Sequence, residues 1–218
     1  MNRLATLAVA TLIVVPSAYA QQPDARQVTQ ERASAEYDAP HLVEVLGLKP
    51  GMTVADIGTG FGGMSIVLGK WIGSGHVYAT DITAHALRET RDYVKREGLT
   101  NVTVLEGGAD RTNLPPGCCD ALFLRHVYHH VGELEAFNKS LLASLKPGGR
   151  LAIIDFIPPK GSAVPKGVPA NREGHGIPTA VVIEELKAAG FTYVRTIDRW
   201  PPGEKEVDSA FLVLFAKP

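Results

Sequence analysis

The sequence predicts an α/β protein built on one doubly wound, mostly parallel sheet. Three observations carry that expectation. Short β-branched runs alternate with helix-period stretches from residue 41 onward. A glycine cluster, Gly58 to Gly63, falls where the first strand turns into its helix. The chain closes on two apolar runs with no helix between them. Alternation implies crossover connections and parallel strands. The closing pair lacks a crossover, so it should be antiparallel.

The elements follow in order. Gln21 to Asp38 is polar with no sustained period and reads as a flexible lead or a short lid helix. Pro40 to Leu48 has apolar residues at helical spacing and stops at Lys49-Pro50-Gly51, which cannot continue a helix. Met52 to Ile57 is the first strand, and a helix runs on from the glycines to Trp71. His76 to Thr80 and Val102 to Leu105 are strands flanking the helix Ala84 to Glu97. Ala121 to Leu124, Glu133 to Leu145 and Leu151 to Ile157 repeat strand, helix and strand. Val181 to Ala189 is an amphipathic helix stopped by Gly190. Phe191 to Ile197 and Ala210 to Ala216 close the chain as strands.

Composition narrows the function. With 218 residues, the chain suits one domain, or one plus an appendage. The 22 Lys+Arg against 23 Asp+Glu give a net charge of −1, which argues against a protein that coats nucleic acid or an anionic membrane. Two cysteines exclude a disulfide scaffold and a Cys-rich zinc module. The adjacent pair Cys118-Cys119 could form a vicinal disulfide, but reads more simply as two small apolar residues at a turn.

The first twenty residues stand apart. Arg3 precedes a largely apolar run, Leu4 to Val15, and Ala18-Tyr19-Ala20 ends it in a small-x-small pattern. As a helix that run would span about 18 Å, short of a roughly 30 Å hydrocarbon core. This is the pattern of a secretory signal cleaved after Ala20, leaving an exported chain, periplasmic or secreted, with no stable membrane insertion. Removing Arg3 leaves 21 Lys+Arg against 23 Asp+Glu, or −2. The expected organisation is a signal at 1–20, a polar lead at 21–40 and one catalytic-looking domain at 41–218.

The chemistry concentrates around the glycines. Val54-Ala55-Asp56-Ile57-Gly58-Thr59-Gly60-Phe61-Gly62-Gly63 lets the backbone approach a ligand, and the following helix start favours an anionic group. Gly58, Gly60 and Gly63 also fit the dinucleotide GxGxxG spacing. Three acids bear on the choice. Asp56, at the first strand's tip, suits a cationic or amino-bearing ligand and would repel a pyrophosphate. Asp81 ends the second strand, where a carboxylate can accept from two ribose hydroxyls. Asp110 follows the third strand, placed to accept from an adenine amino group.

These residues resemble the class I S-adenosylmethionine-dependent methyltransferases, and the likeness runs through nearly the whole domain. It rests on Leu46-Gly47-Leu48-Lys49-Pro50-Gly51, the glycine loop, Ala79-Thr80-Asp81-Ile82 and Gly108-Ala109-Asp110-Arg111 with Leu114-Pro115. It continues in Cys119-Asp120-Ala121-Leu122-Phe123-Leu124-Arg125-His126-Val127-Tyr128-His129-His130 and in Leu145-Lys146-Pro147-Gly148-Gly149-Arg150-Leu151. Within the class, the chain is most similar to the methyltransferase-domain group acting on small molecules. The resemblance implies a Rossmann-like seven-stranded sheet of order 3-2-1-4-5-7-6 with strand 7 antiparallel. It implies S-adenosyl-L-methionine as cofactor. Asp56, Gly58, Thr59 and Gly60 would hold its methionine part, Asp81 its ribose, Asp110 and the Arg111 amide its adenine, with Ile82 also at the cofactor.

Methyl transfer from a sulfonium is a direct displacement, so alignment dominates, and a base is needed only where the acceptor loses a proton. The candidates for that base or for acceptor contact are His126 and Tyr128, after the fourth strand, and His175 in the glycine- and proline-rich loop Pro158 to Pro178. Arg125 is expected near the cofactor, pairing with one of the strand-end acids to fix the pocket wall. His129 and His130 read as packing or capping residues. His126, His129 and His130 have helical i, i+3 and i, i+4 spacing, yet no continuous helix and no nearby acid, so no metal site is expected. The expected partner is a small-molecule methyl acceptor, with no nucleic acid. Two rival readings are an exported, non-catalytic adenosyl-metabolite binder and a nicotinamide-dependent oxidoreductase.

Overall fold

A computed structural model describes residues 25–203 and 210–218. The signal expected at 1–20 lies outside them. Helix α1 spans Ala25–Leu46, followed by β1 Thr53–Ile57, α2 Gly63–Trp71, β2 His76–Asp81, α3 Ala84–Arg96, β3 Val102–Glu106 and β4 Cys119–Arg125. Then come α4 Leu134–Ser144, β5 Leu145–Phe156, α5 Thr179–Ala188, β6 Thr192–Ile197 and β7 Ala210–Ala216. Short 3-10 turns lie at Tyr128–His130 and Ala170–Arg172.

The seven strands form one sheet of order β3-β2-β1-β4-β5-β7-β6. The first five are parallel neighbours; β7 runs antiparallel to both β5 and β6. The expected order and the antiparallel seventh strand are both borne out. Successive side chains of a strand face opposite ways, which sorts the core into two layers. Val54 and Phe123 pack with Leu42, Leu46, Leu68 and Ile72 under α1 and α2. Ala55, Leu122 and Leu124 pack with Phe137, Leu141, Val182 and Leu186 under α4 and α5.

Helix α1 departs from expectation, since it is continuous through Pro40 and no boundary falls there. A proline inside a helix loses one backbone hydrogen bond and crowds the preceding turn. Here Pro40 is on the exposed face, while Ala35, Ala39, Leu42, Val45 and Leu46 bury a stripe that runs past it. Burial of that stripe outweighs the local cost. Among the described residues, no helix is long and apolar enough to cross a membrane.

Strand β5 starts earlier than its apolar run suggests. Leu145 pairs with Cys119, and Gly148 and Gly149 exchange backbone bonds with Lys217. Just before β4, Cys118 and Cys119 are joined as a vicinal disulfide, not left as two thiols. Cys119 is buried at the start of the strand, and the Cys118 amide donates to the Pro115 carbonyl in the turn before it.

Candidate active site

The chain reverses direction across the sheet between β1 and β4, and α/β proteins bind ligands outside the carboxyl ends of such strands. Three recesses meet there. The first, about 470 Å³, is lined by Gly58, Asp81, Ile82, Gly108, Val131 and Phe137, with Arg111, His130 and Gly167 at its sides. The second, about 300 Å³, is lined by Glu31, Asp56, Thr59, Gly60, Arg125 and His126. The third, about 720 Å³, has Tyr37, Phe156 and Trp200 as aromatic walls, Gln27 and Gln30 as polar ones, and again Glu31, Arg125 and His126. Gly58, Asp81 and Val127 border the first two recesses. Glu31, Arg125 and His126 border the last two.

The glycine loop is held from both ends. Gly58 and Thr59 donate their amides to the Thr80 carbonyl at 2.8 Å each. Gly60 donates to Asp81 Oδ2 at 3.1 Å, and Asp81 Oδ1 takes the Thr83 amide at 2.9 Å and hydroxyl at 2.8 Å. Asp81 therefore ties β2 to the loop while keeping a face on both recesses. Asp81→Ala should weaken cofactor binding by about 1–3 kcal/mol, since a hydrogen-bonding carboxylate is lost. Titration calorimetry reads this directly; an unchanged affinity would remove Asp81 from the site.

Asp56 is buried. Its Oδ2 accepts from Ser65 Oγ at 2.7 Å and Thr59 Oγ1 at 2.9 Å. Burial nonetheless pushes its pKa from the ordinary 3.8 up to about 7, helped by the charge of Glu31 and opposed by the two hydroxyls. Glu31, from α1, grips the Phe61 amide with both carboxylate oxygens at 3.1 and 3.3 Å. Its pKa is also raised, mainly by burial. Two acids in one recess, at a site that discourages their ionisation, are built for a ligand that brings positive charge.

Arg125 pairs with an acid of helix α1 and not with one of the strand-end acids expected for it. Its Nε donates to Asp38 at 2.6 Å and its Nη2 to Ser34 at 2.9 Å. Glu31, Ser34 and Asp38 lie at i, i+3 and i+7, one face of α1. That spacing is the signal that could have found them. Through Arg125 the helix is fastened over the crevice.

His126 sits at the junction of the second and third recesses. It holds a left-handed backbone, φ 58°, unusual for a residue with a side chain. Its amide donates to the Ile154 carbonyl at 2.8 Å, so the strained turn is fixed from β5. Ile82 is an exposed apolar rim of the first recess.

Three expected site residues are placed otherwise. Tyr128 is fully buried in the α4 layer; the 3-10 turn rotates it away from His126, and its hydroxyl accepts from Asn138 at 2.9 Å. Burial, with the charge of Glu185 second, holds that phenol well above its ordinary range, so it serves as packing rather than as a base. Asp110 turns outward, where Arg111 grips both its oxygens at 2.9 and 2.6 Å and lowers its pKa. Arg111 lines the first recess, and Asp110 is not among its lining residues.

His175 does not join His126. The loop after β5 brings it onto His129 and His130, with ring centroids 5.0 and 5.3 Å away. The grouping considered from the sequence, with His126 as third histidine, does not form; its place is taken by a residue 45 positions beyond His130. The missing acid is present too, since Asp155 of β5 pairs with His129 Nδ1 at 2.8 Å.

Sheet order and switch-point crevice are those of a Rossmann-like methyltransferase fold, and the likenesses that follow support an S-adenosylmethionine-dependent methyltransferase. Residues 54–149 match the family model described as a methyltransferase domain. The chain is similar to the ubiquinone/menaquinone biosynthesis C-methyltransferase UbiE of Pseudomonas paraeruginosa, 30% identical over 130 residues, 59% of this chain and 51% of that one. The UbiE of a Shewanella species is 29% identical over 122 residues, covering 55% and 49%. The chain thus spans about half the length of these curated relatives. Among solved structures, a SAM-dependent methyltransferase from Aquifex aeolicus superposes with a TM-score of 0.68 at 27% identity, covering 90% of this chain and 100% of that one. A geranyl diphosphate methyltransferase in complex with SAM shares the fold, with a TM-score of 0.65 at 16% identity over 86% of each chain. The rival oxidoreductase and non-catalytic readings find no support in these likenesses.

Proposed function

We propose that this protein transfers the methyl group of S-adenosylmethionine to a small aromatic acceptor bearing an acidic O–H or ring C–H. The observation that carries this is the shared border of the second and third recesses. Glu31, Arg125 and His126 face both, so a cofactor's methionine end and an acceptor would meet at those three side chains. The volume of the third recess suits a small molecule. Its walls of Tyr37, Phe156 and Trp200 suit a flat ring, and Gln27, Gln30 and Ser34 suit hydroxyl or carbonyl substituents. The likeness to the UbiE C-methyltransferases agrees with an aromatic acceptor of quinone type.

When bound, the cofactor supplies an electrophilic methyl carbon on a sulfonium. That methyl would pass to an acceptor oxygen or carbon, with the carbon–sulfur electron pair left on sulfur as a neutral thioether. This chain's residues do the rest. Asp56 and Glu31 attract the cofactor's positive charge. Arg125, locked by Asp38 and Ser34, holds the wall between the recesses. His126 takes the proton that the acceptor loses, since an imidazole titrates in the useful range.

Incubation with methyl-labelled S-adenosylmethionine and a panel of phenols, catechols and hydroquinones tests this. Label should appear in a ring-bearing product, and His126→Ala should lower kcat while leaving cofactor affinity unchanged. Label in none of the panel, or only in aliphatic amines, would refute the aromatic acceptor.

We further infer export, on the strength of Arg3, the apolar run to Val15 and Ala18-Tyr19-Ala20. Terminal sequencing of the mature chain from cell fractions should start at Gln21 in an exported fraction; an intact Met1 in the cytosol would refute it.

A further inference from the structure

We propose that His129, His130 and His175 form a three-histidine site for a borderline divalent cation, with zinc the best match. The site is separate from methyl transfer and does not rest on the acceptor reading. One nitrogen from each of the three rings lies within 4.8 Å of the others. The rings converge from two elements: His129 and His130 from the turn after β4, His175 from the loop between β5 and α5.

The strongest observation concerns His129. It is buried, and its Nδ1 meets the fully buried Asp155 at 2.8 Å. Asp155 also accepts the backbone amides of His129, at 3.1 Å, and Phe156, at 3.0 Å. In the tautomer that donates from Nδ1 to this carboxylate, His129 keeps a lone pair on Nε2. Among the described residues, that Nε2 is buried with no hydrogen-bond partner. A buried imidazole lone pair without a proton donor is costly unless something electrophilic meets it. Metal-binding histidines typically have this arrangement, with the second nitrogen held by a carboxylate that fixes tautomer and ring orientation.

His175 is preset from its backbone. Its amide donates to Ser162 Oγ at 2.9 Å, and Ile177 two residues on donates to the Phe156 carbonyl at 3.0 Å. Gly176 passes so close to β5 that a Cβ there would lie 2.7 Å from the Phe156 carbonyl oxygen, at φ 143°. Arg172, fully buried, anchors the same loop to α5 through Glu185, at 2.7 and 3.2 Å. The loop is therefore packed where it delivers the ring.

Ligand chemistry selects the ion. Three neutral imidazoles suit zinc, copper(II), nickel or cobalt, and not the oxygen-seeking magnesium or calcium. Zinc–nitrogen bonds of about 2.0–2.1 Å in a tetrahedron put the nitrogens roughly 3.4 Å apart. The exposed rings of His130 and His175 can close that difference by side-chain rotation. Three protein ligands leave a fourth position for water or another small ligand. Because His130 and Gly167 both border the first recess, a bound cation would also fasten this loop beside the cofactor.

Calorimetry with zinc chloride alone, on the full-length, untagged and metal-stripped chain, tests the site, with cobalt(II) absorption as a second readout. One zinc per chain should bind at about micromolar affinity or tighter, and cobalt(II) should show tetrahedral visible bands. His175→Ala and His130→Ala should each weaken zinc binding at least about tenfold. His175→Ala should still bind S-adenosylmethionine as the parent does, which separates ligand loss from unfolding; His175→Gln replaces it where the alanine variant does not fold. Absence of stoichiometric zinc binding, or binding that neither variant weakens, would overturn the proposal.

Discussion

Asp56→Asn is expected to make the cofactor-free protein more stable at pH 8 while removing most of its affinity for S-adenosylmethionine. The carboxyl group is buried, and its pKa rises from 3.8 to about 7 on folding. A group whose folded pKa lies above its unfolded one contributes full stability below the unfolded value and loses it as pH climbs through the folded value. Native Asp56 should therefore cost stability progressively between about pH 4 and pH 7, on the order of 4 kcal/mol at the upper end. The raised pKa of Glu31 works in the same direction. An amide keeps the hydroxyls of Ser65 and Thr59 as neighbours but cannot ionise, so the variant's stability should be flatter over this range. Its Tm, followed by scanning calorimetry from pH 5 to pH 8, should cross above the parent's near the upper end. Cofactor affinity should behave oppositely. Positive charge on the ligand stabilises the ionised carboxylate, so parent affinity should rise with pH through about 7, and the variant should lose that rise. A variant less stable than the parent at pH 8, with affinity intact, would contradict the role given to Asp56.

The second large effect is expected at Gly58. It holds φ 79°, and a Cβ there would collide with the Val127 side chain, with Cγ1 at 2.9 Å and Cγ2 nearer still. Gly58→Ala thus combines a left-handed backbone cost of about 1–2 kcal/mol with overpacking of about 1–3 kcal/mol. Both fall on the turn that borders the first two recesses. Tm should drop by roughly 5–15 °C, at 2–4 °C per kcal/mol for a chain of this size. Residual folded protein should bind cofactor poorly, because Val127 lines both recesses and must shift. Coupling to Val127 is itself testable. Val127→Ala in the Gly58→Ala background should recover part of the stability, leaving the backbone cost; no recovery would show that the clash is not the cause.

The sheet was legible because its information is local and periodic. Each strand is a short apolar run, each crossover a helical stripe, and Gly58 to Gly63 mark the turn that faces the crevice. Asp56 and Asp81 were legible for the same reason, since a strand's end fixes where its last side chains point. Residues whose place depends on rotation or on distant partners were not. Tyr128 and His126 are two positions apart, yet the 3-10 turn buries one and exposes the other. Asp110 was expected to face a ligand, but its own neighbour Arg111 competes for it. Gln21 to Asp38 reads only as a flexible lead or a short lid helix because it is polar with no sustained period, whereas from Ala25 on it belongs to one helix that continues to Leu46. Glu31, Ser34 and Asp38 acquire meaning only when Phe61 and Arg125 arrive from 30 to 91 residues away. The histidine cluster needs two chain segments, and spacing within one of them pointed to the wrong third member.

The central claim is that one crevice, ringed by Glu31, Asp56 and Asp81, holds the cofactor against an acceptor pocket. Calorimetric titration of S-adenosylmethionine into the full-length chain tests it most directly. One site per chain is expected, with affinity that strengthens from pH 6 to pH 8 and collapses in Asp56→Asn. No binding at millimolar ligand, or equal binding by the parent and Asp56→Asn at pH 8, would contradict it.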